Sequence, residues 1–492
     1  MTSEDESEGG GSRTRLTSQG TDASLTLFAL LWGAAAIFHN LGPSGVALGV
    51  FGDPTPLKVG QALLTLAALW LILQPKRLAP LVVLAILGLV SAWLEAPRLG
   101  NHWLLAGFVN LAVLVSLAIA GRAGSFDRRA FASALLPTAR WCLIVFYSFA
   151  AFAKLNSAFF DTDVSCGAFF FDETARGYGL PTPIAVGADG LGRLIPVGAA
   201  LTELSIPVLL IGRRTRVLGI LAGLLFHSFI ALDRIHLFVD FSAVLAALFL
   251  LFMPLEFAES ALRFLEGKGK RLFALTFALA LLVAGAQLTY SNNLMKFLFL
   301  AGRMVVWYVF DLTIVVGTVV WLIHNRSRYR ALERPFALPP GSRLLLAPLV
   351  VLVLLTGLLP YLELRTAYSF TMYSNVKMVD GESNHFLIRE SLPIGRRHRD
   401  LVAIVDSTDF GLARYADSAY ELPWDTFRTY MAAHPDAGVV YERAGEQFVV
   451  QRAAEDPDLV DAPSVLQQKA LPLRAIDTRD PPGCQDVFLP AL

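Results

Sequence analysis

The run Leu344-Leu345-Leu346-Ala347-Pro348-Leu349-Val350-Val351-Leu352-Val353-Leu354-Leu355-Thr356-Gly357-Leu358-Leu359 carries no charge and ends at Pro360-Tyr361. A helix that crosses the hydrocarbon of a bilayer needs roughly 20 mostly apolar residues. This stretch with its flanks meets that need, and the proline marks where it stops. Past Tyr361 the text changes character. Charges rise, long apolar runs cease, and short alternating segments take over.

Upstream the same pattern recurs. Apolar segments begin near Ser24, Leu57, Leu78, His102, Thr138, Arg193, Val217, His236, Leu272 and Met304, and Pro254 ends one of them. With the segment at Leu344 this predicts about eleven spans. The turn around Asp233 reads either as a link between two spans or as a re-entrant element. Composition agrees: of 492 residues 55% are hydrophobic and 17% charged, against roughly a quarter charged in soluble domains. The formal net charge is zero, so no global field points to nucleic acid. Residues 1–22 are polar and rich in Ser, Gly and Thr, which predicts a flexible cytoplasmic tail. No apolar run precedes them, so the first span reads as retained rather than cleaved.

Basic residues set the expected orientation. They cluster at Lys76-Arg77, at Arg122 with Arg128 and Arg129, at Arg213-Arg214 with Arg216, at Lys268 with Lys270 and Arg271, and at Arg326 with Arg328 and Arg330. These are alternate loops, whereas the loop from Leu41 to Pro56 carries no Lys or Arg. The pattern predicts a multi-pass protein of the plasma or inner membrane, with its N-terminus cytoplasmic and its C-terminus outside.

The expected architecture is therefore mainly α: a transmembrane helix bundle over 23–361, followed by a small extracytoplasmic α+β domain over 362–492. Within the latter, His385 to Arg389 and Leu401 to Asp406 read as strands. Val439 to Glu442 and Gln447 to Gln451, joined through Ala444-Gly445, read as a hairpin. Asp425 to Ala433 reads as a short helix, and the Pro-, Asp- and Ala-rich tail as extended. Under this orientation Cys166 and Cys484 both face the oxidising side. They are either a disulfide or two free thiols, because sequence does not supply the Cα separation a bridge requires.

Ionisable groups within spans are costly in lipid and are functional candidates by default. The set is His102, Lys154, Glu203, His227, Asp233, His236 and Asp240, and the predicted topology puts all seven toward the outer half of the bundle. Lys154 ends the aromatic run that begins at Phe146. Desolvation disfavours an ammonium and so suits a lysine to act as a base; the plainer reading is a lysine snorkelling to the headgroups. Glu203 is a proton carrier, a cation ligand or a structural partner of Lys154. His227 is a proton donor, a metal ligand or a packed interhelical histidine. His227 and His236 are not at a metal-ligand spacing, and neither HExxH nor CxxC occurs, so no metal site is expected. The glycines Gly187, Gly190 and Gly192 do not follow a strand, and no dinucleotide fingerprint is expected either.

The segment Phe146-Tyr147-Ser148-Phe149-Ala150-Ala151-Phe152-Ala153-Lys154-Leu155-Asn156 resembles the YxxAGxxKLN segment of the HTTM (horizontally transferred transmembrane) family, which is related to vitamin K-dependent gamma-carboxylase. Gly100-Asn101-His102-Trp103-Leu104 is similar to the preceding NHxYL segment. Thr202-Glu203-Leu204, Arg214-Thr215-Arg216 and Phe226-His227 resemble the stretch that follows. Met372-Tyr373-Ser374-Asn375 with Ser383-Asn384-His385 resembles an MFSN…NH segment found after the bundle. The resemblance covers roughly Ser24 to Arg389 and implies the following. Lys154 falls at the base that deprotonates reduced vitamin K, His102 at an assisting histidine, and His227 at the histidine of the later motif. A reduced quinone (vitamin K or menaquinol) is the implied cofactor, O2 and CO2 the co-substrates, and an extracytoplasmic protein or peptide the implied substrate. The carboxylase has two successive lysines where this chain has Ala153-Lys154, and a much larger lumenal domain. A second expectation is thus a non-catalytic membrane protein that binds lipid or an envelope partner. A third is a proton-coupled transporter working through Glu203 and His227, for which an inverted repeat is expected; none is evident.

Overall fold

The computed structural model describes residues 5–40, 55–121, 126–184, 192–266, 293–327, 329–371 and 373–484. The span expected from Leu272, the basic residues Arg122, Lys268, Lys270, Arg271 and Arg328, the glycines Gly187 and Gly190, and Met372 lie outside the described residues.

Among the described residues, eight helices are long and apolar enough to cross a bilayer. They are the Gly20–Asn40 part of α1 (Asp5–Asn40), α2 (Pro56–Leu73), α3 (Leu78–Glu95), α4 (Asn101–Ala120) and α5 (Arg128–Phe152), then α7 (Leu194–Ile211), the Gly302–His324 part of α10 (Asn293–His324), and Pro340–Leu362, which contains α11 (Arg343–Leu358). Two shorter apolar helices, α8 (Arg216–Ile230) and α9 (Val239–Phe249), correspond to the spans expected at Val217 and His236. A further helix, α6 (Cys166–Gly177), is amphipathic and not a span. Leu66, Leu73, Leu201, Val208, Leu312 and Ile323 are each more than half exposed, a surface that lipid solvates and water does not. The chain is an integral membrane protein on the length and apolarity of these helices. Two boundaries differ from expectation. α1 takes in most of the segment read as a flexible tail, and α5 starts at Arg128 instead of Thr138.

The chain divides into two compact units. The first comprises Met1–Leu94, His102–Ile144 and Ser205–Val351. Its centre is the apolar part of α1, buried on every face, with Leu25, Phe28, Ala34, Ile37 and Phe38 at or near zero exposure. A helix apolar all round belongs in the interior, and α1 packs against α2 and α9. α8 meets α9 at Gly223, where any side chain would collide with the Phe249 ring. Arg216, read from sequence as part of a loop signal, is 2% exposed. Its guanidinium donates to the carbonyls of Leu210 and Leu332 at 2.9 and 2.7 Å. Buried Arg140 does the same to Leu251 and Pro335, both at 2.9 Å.

The second unit comprises Glu95–Asn101, Val145–Leu204 and Leu352–Leu492. Its sheet is antiparallel, in the order β6-β5-β3-β4-β7, with β3 Leu401–Ser407, β4 Tyr420–Pro423, β5 Val439–Arg443, β6 Glu446–Val450 and β7 Ile476–Asp477. β1 (Met378–Val379) and β2 (Glu382–Ser383) form a separate small hairpin. Alternation along β3 buries Val402 and Ile404 against Phe427 and Met431 of α12 (Trp424–Ala433). Residues 385–389 are not a strand. His385 makes one isolated bridge with Asn156, and the amides that a strand would pair are taken by the His385 ring and by the Leu155 carbonyl. The tail is not wholly extended: it holds two short helices, Pro457–Val460 and Val465–Ala470, before β7.

Candidate functional site

In the second unit α5 ends at Phe152, and Ala153-Lys154 form the turn beyond it. Lys154 is 7% exposed and Glu203, on α7, 8%. The ammonium Nζ stands 2.8 Å from Glu203 Oε2 and donates to the Ala150 carbonyl at 3.3 Å. The Phe159 ring lies 5.8 Å away on centroid. Tyr147, one helical turn before Ala150, is buried. Gly357 lets α11 approach the Phe149 ring, since a Cβ there would enter it.

The turn that carries Lys154 is held by a polar clamp. Asn156 caps the next helical turn by accepting from the Phe159 amide at 2.9 Å. Its Nδ2 donates to Ala153 O at 2.8 Å and to Ser374 O at 2.5 Å. The Phe386 amide donates to Leu155 O at 2.9 Å, and the Ser157 amide to Asn384 O at 3.2 Å. His385 donates from Nε2 to Phe152 O at 2.9 Å and accepts at Nδ1 from the Leu387 and Ile388 amides, both at 3.1 Å. These roles assign a neutral tautomer, and burial holds the His385 pKa below the usual histidine value. Asn375 Oδ1 accepts from the Cys166 amide at 2.7 Å, and its Nδ2 donates to Val164 O at 2.8 Å. Cys166 and Cys484 are joined by a disulfide with a Cα–Cα distance of 4.8 Å. A cavity of about 30 Å³ lined by Cys166, Ser374, Asn375, Arg474 and Asp477 has room for a water. Lys154 and Glu203 do not line it.

In the first unit a second polar group converges. Asp240 opens α9, and its Oδ1 accepts from the Phe241 amide at 2.8 Å. Its Oδ2 faces His102 Nε2 at 3.0 Å and His39 Nδ1 at 3.2 Å. The His39 ring stacks on Trp103 at 3.9 Å, and His102 lies against Phe241 at 5.1 Å. His227 packs edge-on to the same Phe241 ring at 4.8 Å, and its carbonyl accepts from Ser242 Oγ at 2.9 Å. Asp233 closes its own turn, accepting from the Ile235 and His236 amides and from His236 Nδ1 at 2.8, 2.9 and 3.0 Å. Asp233 and His236 are therefore a structural turn.

The seven residues singled out from sequence thus fall into groups. Lys154 pairs with Glu203, His102 with Asp240, and Asp233 with His236, while His227 packs among aromatic rings. The sequence reading missed His39 and Arg303. Both are ionisable residues at the ends of apolar runs, and extending the cost of charge in lipid to span ends would have found them. It also missed that Asn156, Ser374 and His385 act together on one turn. No protein-family model, no curated protein and no solved structure matches this chain.

Proposed function

We propose that this is an HTTM-type membrane enzyme, related in mechanism to vitamin K-dependent gamma-carboxylase, in which Lys154 takes a proton from an acidic hydroxyl of a lipid-soluble quinol. The carrying observation is the buried Lys154–Glu203 pair at 2.8 Å, fixed at the end of a span by the Asn156 and His385 clamp. A Lys–Glu pair shielded from water has two forms, ammonium with carboxylate and amine with carboxylic acid. The second presents a free amine lone pair to a hydroxyl. The proton then passes from the substrate oxygen to Nζ and leaves an oxyanion. The Phe159 ring beside the Lys154 ammonium suits a flat apolar ring with one polar edge. A quinol, when bound, supplies the acidic hydroxyl and the reducing electrons that O2 would accept. The extracytoplasmic placement of this unit is part of the reading; a disulfide is at home on the oxidising side of a membrane.

The test is turnover of a reduced menaquinone or vitamin K analogue under oxygen, with the full chain in detergent. Lys154→Ala is expected to reduce epoxide formation by about a hundredfold or more. Breaking one side of a buried pair costs about 3 kcal/mol, so the double substitution Lys154→Met with Glu203→Leu serves as a better-folded inactive control. Wild-type rates in Lys154→Ala would remove the base assignment. A second reading, a non-catalytic protein that binds lipid or an envelope partner, draws on the same pair: Glu203 and Ala150 O already satisfy the ammonium, and Ala153 stands where the carboxylase has its other lysine. Absence of binding and turnover across several quinols, from folded protein, would favour it.

A further inference from the structure

We infer that His39, His102 and Asp240 form a binding site for one divalent first-row transition-metal ion. The inference concerns the first unit and goes beyond the lysine chemistry. The three residues come from α1, α4 and α9, and their donor atoms lie within 4.8 Å of one another. Two imidazoles with one carboxylate are a donor set for Zn²⁺, Fe²⁺ and their neighbours.

Metal–donor bonds of about 2.0–2.1 Å place adjacent donors about 2.9 Å apart at right angles and about 3.3 Å apart in a tetrahedron. The Asp240 oxygen stands 3.0 and 3.2 Å from the two nitrogens, within that interval. Binding draws in the widest spacing of the set, and rotation of His102, the more exposed imidazole at 15% against 6% for His39, supplies the movement.

The surroundings orient the donors. Trp103 holds the His39 ring flat. The Phe241 amide occupies Asp240 Oδ1 and so aims Oδ2 at the imidazoles. Support of this kind fixes ligand orientation in metal sites. Three protein donors leave coordination positions open, the arrangement of a reactive centre and not of a closed structural one. Two neutral imidazoles and one carboxylate leave a divalent ion with one net positive charge, which an anionic oxygen ligand at an open position would neutralise.

The same distances also describe a carboxylate hydrogen-bonded to two imidazoles, and metal content separates the two. The full chain, purified in detergent and stripped with chelator, is incubated anaerobically with Fe²⁺, Co²⁺ or Zn²⁺ alone. Elemental mass spectrometry is expected to find about one ion per chain, and the Co²⁺ form to show ligand-field absorption bands. His39→Ala and Asp240→Asn are expected to weaken binding by at least about tenfold. His102→Asn, at the more exposed ligand, is the variant to use if these do not fold. Lys154→Ala is expected to bind metal as the wild type does, so a failure of the quinol reading leaves this result intact. No metal on the wild type, or equal binding by wild type and the three ligand variants, overturns the site and leaves a hydrogen-bonded His–Asp–His cluster.

Discussion

At the scale of single residues, burial decides which polar groups carry meaning. Glu363 is fully buried with a backbone φ of 54°. Its carboxylate accepts from the Asp380 and Gly381 amides at 3.0 and 2.8 Å, from Ser391 Oγ at 2.5 Å and from His398 Nδ1 at 3.3 Å. Burial raises the Glu363 pKa, but these hydrogen bonds and the His398 charge outweigh it and hold the carboxyl down at about 2. A depressed carboxylate stabilises the fold above its unfolded pKa and loses that contribution as pH falls through the folded value. Against an unfolded value near 4.5 the contribution is roughly 3 kcal/mol at neutral pH. Glu363→Gln is therefore expected to melt well below the wild type at pH 7, with the gap closing as pH drops from about 5 toward 2. A gap that stays constant over this range would show that the charge on Glu363 is not what stabilises. Lys154 and Glu203 illustrate the same rule: each alone has several readings, and their 2.8 Å separation makes them one buried ion pair.

Among elements, the hairpin β5–β6 shows how local chemistry sets register. Val439 pairs with Val450 and Arg443 with Glu446, and the two turn residues Ala444 and Gly445 have φ of 53° and 80°. A two-residue turn with both residues in the left-handed region favours Asn-Gly, and a non-glycine residue there costs of order 1 kcal/mol. Ala444→Asn is expected to stabilise this domain by up to about 1 kcal/mol, read as a higher unfolding midpoint in denaturant. Destabilisation would mean that the hairpin uses another turn geometry. This element was legible in sequence because its signal is confined to neighbouring residues. The segment 385–389 was misread for the opposite reason. His-Phe-Leu-Ile-Arg resembles a strand, yet its amides bond to the His385 ring and to Leu155, a partner outside any local window.

For the whole molecule, sidedness is the property on which the proposed chemistry depends. After mild reduction of intact cells, a membrane-impermeant maleimide is expected to label Cys484, the more accessible partner of buried Cys166 in the disulfide, with the Cys166→Ser/Cys484→Ser double variant showing no labelling. Labelling that appears only after lysis would invert the orientation read from the basic loops. Cys142 is buried and should stay silent in both cases. The sequence by itself determined the class of this protein: apolar windows of about twenty residues announce spans, and the end of long apolar runs past Tyr361 announces the small sheet region near the C-terminus. Hydropathy is a property of contiguous chain, so no folding was needed to read it. Only the tertiary structure decided what the polar residues do. Asn156 meets Ser374 across 218 positions, Cys166 meets Cys484 across 318, and His39 meets Asp240 across 201. Such meetings depend on which helices pack together and at what rotation, and a linear pattern of residue types does not encode those distances.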